Sequence, residues 1–374
     1  MLIYDIALSL VPGIGGIRAK RLIDAFGTAE AVMKSDPEEV AARTEIPPEA
    51  ARKIFTSNVF PEAEKEVRFV EKHGFRTLVY GTPEYPRLLG ECDDPPLVLY
   101  VRGGLDFNAG KWLAVVGTRR MTAYGRETVH RLICGIASRR PDTVVVSGLA
   151  YGTDVEAHRG AMRNGLKTVA VMATPLSRIY PSSHRTEAER IVAEGGALVT
   201  EFRSDYVTRP DSFLQRNRIM AALSAGTLVV ESALKGGSIS TATHAVRYGR
   251  DVLAVPGRAG DEMSEGTNRL IHLNKAALVT DADQALQAMN WDYVLPGKAE
   301  APVPAGHRME LTPEEKKVFE ALSYSETLSL DELSAKAGLS VQRVSTALFV
   351  LEMEGAVRRR PGNRVEKAEG ILSE

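Results

Sequence analysis

The chain has 374 residues, 44% hydrophobic and 25% charged, with 32 glycines and 19 prolines. This composition excludes collagen-like, low-complexity and disordered classes and leaves room for roughly two to four domains. The formal net charge of −1 offers no bulk attraction for a nucleic acid, so any such partner has to be met by local basic clusters.

Residues 1–60 read as short helices separated by Gly and Pro, without strand alternation. Asp5 and Pro12 interrupt this start as a secretion signal, and no apolar run anywhere approaches the roughly 18 residues of a membrane span. The stretch Leu10-Val11-Pro12-Gly13-Ile14-Gly15-Gly16 resembles the turn of a helix-hairpin-helix. Such a turn either presents backbone N–H groups to a phosphate or serves as a tight packing corner, and both uses stay open.

From Phe75 onward, short β-branched runs alternate with helical patterns, the mark of a parallel sheet. Strands are predicted at 112–117, 143–148, 168–173, 197–201, 227–231, 251–256 and 277–280, and the segment from Phe75 to Gly104 is expected to add strand pairs. The α/β domain is assigned to 61–294. The Pro- and Gly-rich residues 295–309 read as a linker. In 310–370, Thr312-Pro313-Glu314-Glu315 caps one helix, Ser329 to Leu333 opens a second and Ser340 to Met353 forms a third. Gly355 ends the third helix, and a hairpin turning at Pro361-Gly362-Asn363 completes a winged helix-turn-helix. Its basic residues Arg343, Arg358, Arg359, Arg360 and Arg364 suit auxiliary DNA contact, whereas the acidic first two helices suit protein contact. Cys92 and Cys134 lack CxxC spacing and fit a reducing, cytoplasmic setting.

In an open parallel sheet the ligand site lies beyond the carboxyl ends of the strands, so the residues after each strand are the site candidates. Gly117-Thr118-Arg119-Arg120 follows the first of these strands and is no GxGxxG dinucleotide loop; it reads as a basic anion-binding turn or as solvated surface charge. Ser147-Gly148 follows the second, and Asp154 and His158 lie one helical turn apart, placed for a hydrogen-bonded structural pair or for acid–base chemistry. Arg216-Asn217-Arg218 begins a later helix, and Gly237, Ser238 and Thr241 supply a helix N-terminus with glycine and hydroxyls suited to a phosphate. Arg258 and Gly266-Thr267-Asn268-Arg269 form a further basic loop.

These motifs, in this order, resemble the DNA-processing protein A family, also called DprA or Smf: Val116-Gly117-Thr118-Arg119, Ser147 to Asp154 with Ala157-His158, Arg216-Asn217-Arg218, Val230-Glu231, Gly237-Ser238 with Thr241-Ala242, Val255-Pro256-Gly257 and Gly266 to Ile271. The resemblance implies an extended Rossmann-like core between a helical, SAM-like front and a winged-helix tail. It also implies a cytoplasmic homodimer that binds single-stranded DNA and helps load the recombinase RecA during natural transformation, with no cofactor and no catalytic turnover. Phosphate contacts are then expected at Arg119, Arg216 and Arg218, in a pocket lined by Gly117, Ser147, Gly148, Gly237, Ser238 and Thr241. Thr118, Arg120, Asn217 and Arg269 are assigned to the same DNA-binding set.

This chain departs from the family pattern at Ala173-Thr174-Pro175, at Leu214 in place of a proline, and at Ser182-Ser183-His184-Arg185, where Arg185 supplies the positive charge. Tyr151, Tyr180, Phe202 and Phe213 are each a base-stacking platform or part of the core. Arg119→Glu and Arg216→Glu are both expected to weaken binding without unfolding the core, since each follows a strand instead of occupying one. The rival enzyme reading, a nucleoside-monophosphate phosphoribohydrolase, needs a catalytic Glu after the Gly236-Gly237 turn. Here Ser238 to His244 holds no carboxylate. A third reading is a transcription regulator that binds duplex DNA through the winged helix.

Overall fold

Capping residues and prolines punctuate the front of the chain, and each fixes a helix boundary. In this computed structural model, which describes residues 2–291, 312–322, 328–353, 357–360 and 364–367, the front forms α1 (Leu2–Leu10), α2 (Gly16–Phe26), α3 (Ala29–Lys34), α4 (Pro37–Thr44), α5 (Pro48–Thr56) and α6 (Phe60–His73). Thr28 and Asp36 accept from the backbone N–H groups of Ala31 and Glu39 at the starts of α3 and α4, and prolines sit in the first turns of α4, α5 and α6. Tyr4 of α1 meets Phe60 of α6 edge-on at 5.7 Å, so the helical layer extends past residue 60 to His73.

The glycine turn ahead of α2 is a packing corner. A Cβ on Gly16 would lie 2.7 Å from the carbonyl oxygens of both Asp94 and Pro95, so glycine is what lets the two backbones meet. Lys20, one turn into α2, donates to the Tyr80 hydroxyl (2.6 Å) and the Gly90 carbonyl (3.0 Å). Of the two uses open to this turn, the structure shows the packing one.

The α/β layer follows as β1 (Arg76–Val79), α7 (Arg87–Gly90), β2 (Val98–Arg102), β3 (Lys111–Val116), α8 (Ala123–Arg139), β4 (Thr143–Ser147), α9 (Thr153–Arg163), β5 (Lys167–Val171), α10 (Arg185–Ala193), β6 (Ala197–Thr200), α11 (Pro210–Leu223), β7 (Gly226–Val229), α12 (Gly237–Arg247), β8 (Asp251–Ala254), α13 (Glu265–His272), β9 (Ala277–Leu278) and α14 (Ala282–Ala288). Every predicted strand is present, and the segment before them contributes one antiparallel pair, β1 with β2. The nine strands run β1-β2-β6-β5-β4-β3-β7-β8-β9. Pairings from β6 through β9 are parallel, and β2 closes that side by pairing antiparallel with β6.

The central strands are apolar on both faces because helices cover both. One face buries Trp112, Val146 and Val171 with Ile219 and Met220 of α11. The other buries Leu113, Val145 and Leu253 with Leu132 and Ile136 of α8. A third cluster joins Ile6, Leu8, Leu22 and Ile54 of the front helices to Leu97, Tyr100, Met172 and Leu198 of the sheet side. From β3 the chain builds outward through β4, β5 and β6, then returns to add β7, β8 and β9 on the other flank. The switch point lies between β3 and β7, where diverging loops leave a crevice.

The chain divides into two compact units, Met1–Tyr293 and Val294–Glu374. In the second, α15 (Pro313–Ala321), β10 (Leu328–Ser329), α16 (Leu330–Ala337), α17 (Val341–Met353), β11 (Val357–Arg360) and β12 (Arg364–Lys367) form a winged helix whose sheet runs β10-β12-β11. Capping boxes at Thr312/Glu315 and Ser329/Glu332 start α15 and α16, and Phe319, Leu333 and Leu348 fill the core. The expected linker at 295–309, Gly355 and the turn at Pro361-Gly362-Asn363 lie outside the described residues. No helix among the described residues is long and apolar enough to cross a membrane.

Candidate functional site

A cleft of about 830 Å³ opens at the switch point. Its first wall is the turn after β3, held in place by Glu231 just beyond the end of β7. The Glu231 carbonyl accepts from Thr118 N (2.7 Å), and its buried carboxylate accepts from Thr122 N (3.0 Å) and Thr122 Oγ1 (2.5 Å). The turn so fixed presents Arg119, exposed, with its guanidinium carbon 5.4 Å from the centroid of the Phe213 ring. Arg119 makes no ion pair among the described residues, whereas Arg120 pairs with Glu262 at 2.6 Å. Of the two, Arg119 is the cation free to meet an anion.

The second wall is α11. Arg216 is 3% exposed, and its Nη1 donates to the carbonyls of Gly148 and Val171, both at 2.6 Å. It therefore joins the carboxyl ends of β4 and β5 from beneath. Asp154 lies beside it, also buried. Burial pushes the Asp154 carboxyl up and the Arg216 guanidinium down from their ordinary values, and each partly offsets the other's shift. Asn217 Nδ2 donates to the Gly237 carbonyl at 3.1 Å while its Oδ1 accepts from Arg216 Nε. The amide thereby ties α11 to the start of α12.

The third wall is the N-terminus of α12, with Gly236, Gly237, Ser238 and Thr241 lining the cleft and no side chain among the described residues capping the helix. Its free N–H groups and dipole favour an anion. The Thr241 hydroxyl, like that of Thr208 across the cleft, is buried without a hydrogen-bond partner among the described residues. Further back, Asn268 closes the Val255-Pro256-Gly257 turn by exchanging two hydrogen bonds with Gly257, at 3.1 and 3.0 Å.

Arg119, Arg120, Gly117, Thr118, Arg216, Asn217, Gly237, Ser238 and Thr241 are thus gathered about one cleft. Other residues of the expected set are not in its lining. Ser147 is fully buried and donates to the Val115 carbonyl at 2.7 Å, and Gly148 meets the cleft only through the carbonyl that holds Arg216. Arg218 follows Arg216 by two positions on a helix, so it faces elsewhere: it pairs with Glu201 and donates to the Asp94 carbonyl at 2.7 Å. Arg185 and Arg269 are exposed on α10 and α13, outside the lining.

The Asp154–His158 pair does not form. Asp154 accepts from Ala150 N (3.4 Å), while His158 turns inward to Thr168 Oγ1 at 2.7 Å. Phe202 is buried and stacked on Tyr206, but Tyr151 and Tyr180 are each 51% exposed, and Tyr180 meets Phe213 edge-on at 5.5 Å in the cleft wall. In the winged helix, Arg343 is paired with Glu314 at 3.0 Å, and the side chains of Arg358, Arg359, Arg360 and Arg364 lie outside the described residues.

Two lining cations, Arg178 and Arg209, escape the sequence reading. Arg178 stands in the loop after β5 and Arg209 immediately before α11, in the irregular stretches that follow strand ends. Reading the loops after β5 and β6 as closely as those after β3 and β4 finds both.

A doubly wound sheet with a crevice at its switch point, here lined by Arg119, the α12 N-terminus, exposed Tyr180 and half-buried Phe213, defines a Rossmann-like protein. Residues 76–290 match the family described as DNA recombination-mediator protein A, and residues 300–363 match the DprA winged helix domain. The chain belongs to the DprA/Smf family. It is 30% identical to Protein Smf of Synechocystis sp. over 97% of this chain and 98% of that one. Among solved structures it is similar to DNA processing protein A of Streptococcus pneumoniae, at TM-score 0.64 and 29% identity over 76% of this chain and 96% of that chain. It is also similar to DNA processing protein A of Helicobacter pylori, whose structure describes a single-stranded DNA binding mode, at TM-score 0.52 and 29% identity over 59% of this chain and 97% of that chain.

Proposed function

We propose that the switch-point cleft binds the backbone of single-stranded DNA, with Arg119, Arg178, Arg209 and the α12 N-terminus meeting phosphates and with Phe213 and Tyr180 offering faces to bases. The observation that carries this reading is the convergence of exposed, separately supplied arginines with an uncapped helix N-terminus and two aromatic rings about one cleft. A strand of phosphates and unpaired bases asks for that combination, whereas a stacked duplex hides its base faces. The protein acts without turnover, as a homodimer in the cytoplasm that passes its bound strand to RecA. A second copy has an open place to dock at the β9 edge of the sheet, where Leu273 and Leu278 are 46% and 49% exposed.

Fluorescence anisotropy with labelled single-stranded and duplex oligonucleotides across a salt series tests the reading. The expected outcome is a preference for single strands that weakens steeply with salt, and a loss of about tenfold or more in affinity for Arg119→Glu, since removing a phosphate contact and adding a repulsive charge act together. Equal affinity of Arg119→Glu and wild type at moderate salt would remove the cleft from the reading.

A further inference from the structure

The loop that delivers Arg209 to the cleft is held from the helical front of the molecule. Residues 201–209 connect β6 to α11 and carry Thr208 and Arg209 into the cleft lining. Glu66 of α6 is 4% exposed. Both of its carboxylate oxygens accept from Ser204 N at 3.0 Å, and one also accepts from Ser204 Oγ at 2.5 Å. A buried carboxylate aimed wholly at one residue of an irregular loop is a costly arrangement unless it fixes that loop, because the charge is compensated only while the loop stays in place.

From Ser204 the constraint continues to the cleft through side chains. Tyr206 stacks on buried Phe202 with ring centroids 4.2 Å apart, its hydroxyl bonds Ser212 Oγ at 2.9 Å, and Ser212 Oγ accepts from Arg209 N at 3.0 Å. Arg209 is thus anchored by its backbone while its side chain stays exposed.

Resting on the single-stranded DNA reading of the cleft, we infer that Glu66 is a positioning residue: it holds the 203–209 loop so that Arg209 meets a backbone phosphate. A glutamine in its place keeps one acceptor oxygen but sets an NH2, which cannot accept, where the second oxygen meets Ser204, so the loop is held less tightly and Arg209 loses its fixed position.

Two readouts on the full chain test this. Trypsin cleaves after Arg203, the peptide bond whose nitrogen Glu66 holds. Glu66→Gln is expected to raise the rate of cleavage at Arg203-Ser204 about fivefold or more, since cleavage tracks the population of the open loop, and Glu66→Asp to restore part of the protection. In the anisotropy salt series with an oligo-dT strand, Glu66→Gln and Arg209→Ala are each expected to reduce the slope of log affinity against log salt by about 0.7, one phosphate on a single strand, and the double variant by no more than either alone.

Unchanged cleavage with Glu66→Gln overturns the inference, as do additive slopes, while an Arg119→Glu defect in the same series leaves the cleft reading standing. If Glu66→Gln opens the loop but neither Arg119→Glu nor Arg209→Ala alters binding, the cleft reading fails and the positioning role fails with it. Should Glu66→Gln not fold, Ser204→Ala, which removes only the hydroxyl bond, is expected to give a smaller change in the same direction in both readouts. No change with that variant overturns the inference.

Discussion

Arg119 stands in the turn just beyond β3, whereas Arg216 lies in the middle of α11 and not at the helix start expected from the sequence, and the structure gives the two opposite physical situations. The expectation that either can be reversed to Glu without disturbing the core is accordingly kept for Arg119 alone. Arg119 is exposed and makes no ion pair among the described residues, so Arg119→Glu is expected to change stability by no more than about 0.5 kcal/mol. Arg216 is buried against two carbonyls and beside Asp154. A glutamate there would leave both carbonyls without their donor and add a second buried carboxylate, a loss of about 3–5 kcal/mol. Urea unfolding of the two variants separates these outcomes, and similar midpoints would refute the distinction.

His158 sets a second expectation at this scale. Thr168 Oγ1 donates to the Val145 carbonyl, so His158 Nδ1 is the donor to Thr168 and Nε2 is the bare nitrogen, with no partner among the described residues. Burial, then the charges of Arg216 and His184, hold the imidazole down at about 3. Between that value and the ordinary value near 6.5, the unfolded chain takes up a proton that the folded one refuses, so this group costs stability as pH falls. Asp5, pushed up to about 6 by burial, works the other way between about 4 and 6. Both forms of the protein keep Asp5, so comparison with His158→Gln isolates the histidine: wild type is expected to lose about 2 kcal/mol more than the variant between pH 7 and pH 5. Parallel pH dependences would show that His158 titrates normally.

At the scale of elements, what could be read from the sequence and what could not divide along a physical line. Strand positions and the turns after them are local: an apolar β-branched run followed by Gly117-Thr118 or Gly148 reveals both the strand and the ligand-facing end. The gathering of Gly117, Arg119, Gly237 and Thr241 about one cleft could therefore be anticipated from chain order alone. The orientation of α11 could not. Pro210 to Leu223 buries Ser212, Arg216 and Asn217 along with Ile219 and Met220, because this helix packs on the sheet with one side and closes the cleft with another. A pattern of apolar periodicity cannot mark a face lined with buried polar groups. Arg216 and Arg218 accordingly look equivalent in sequence, although one supports the cleft and the other joins Glu201 and Asp94. The same limit hid Glu66, an acidic residue on a surface-type helix whose partner lies 138 positions away.

For the whole molecule, the two compact units make separate expectations. Removing residues after Glu310 is expected to leave single-strand affinity within about twofold, because the described residues that line the cleft belong to the first unit. A large loss of single-strand binding in that truncation would assign the winged helix a direct share of the strand. Within the first unit, the front helices and the sheet bury their side chains in one shared cluster. Calorimetry of the same truncated chain is then expected to show a single transition, and a separate early melting of the front helices would contradict the shared core.

That shared cluster also constrains relatives of other lengths. The sheet side under the front helices carries Tyr100, Met172, Leu176 and Ile179 as interior residues. A homologue that dispensed with those helices would bare this surface to water as a sticky plate. Its sequence at the four corresponding places should turn polar, or else a different partner must cover them. The inheritance of the front domain is thereby recorded in side chains outside it, where an alignment of shorter and longer family members would register it as substitutions that change together.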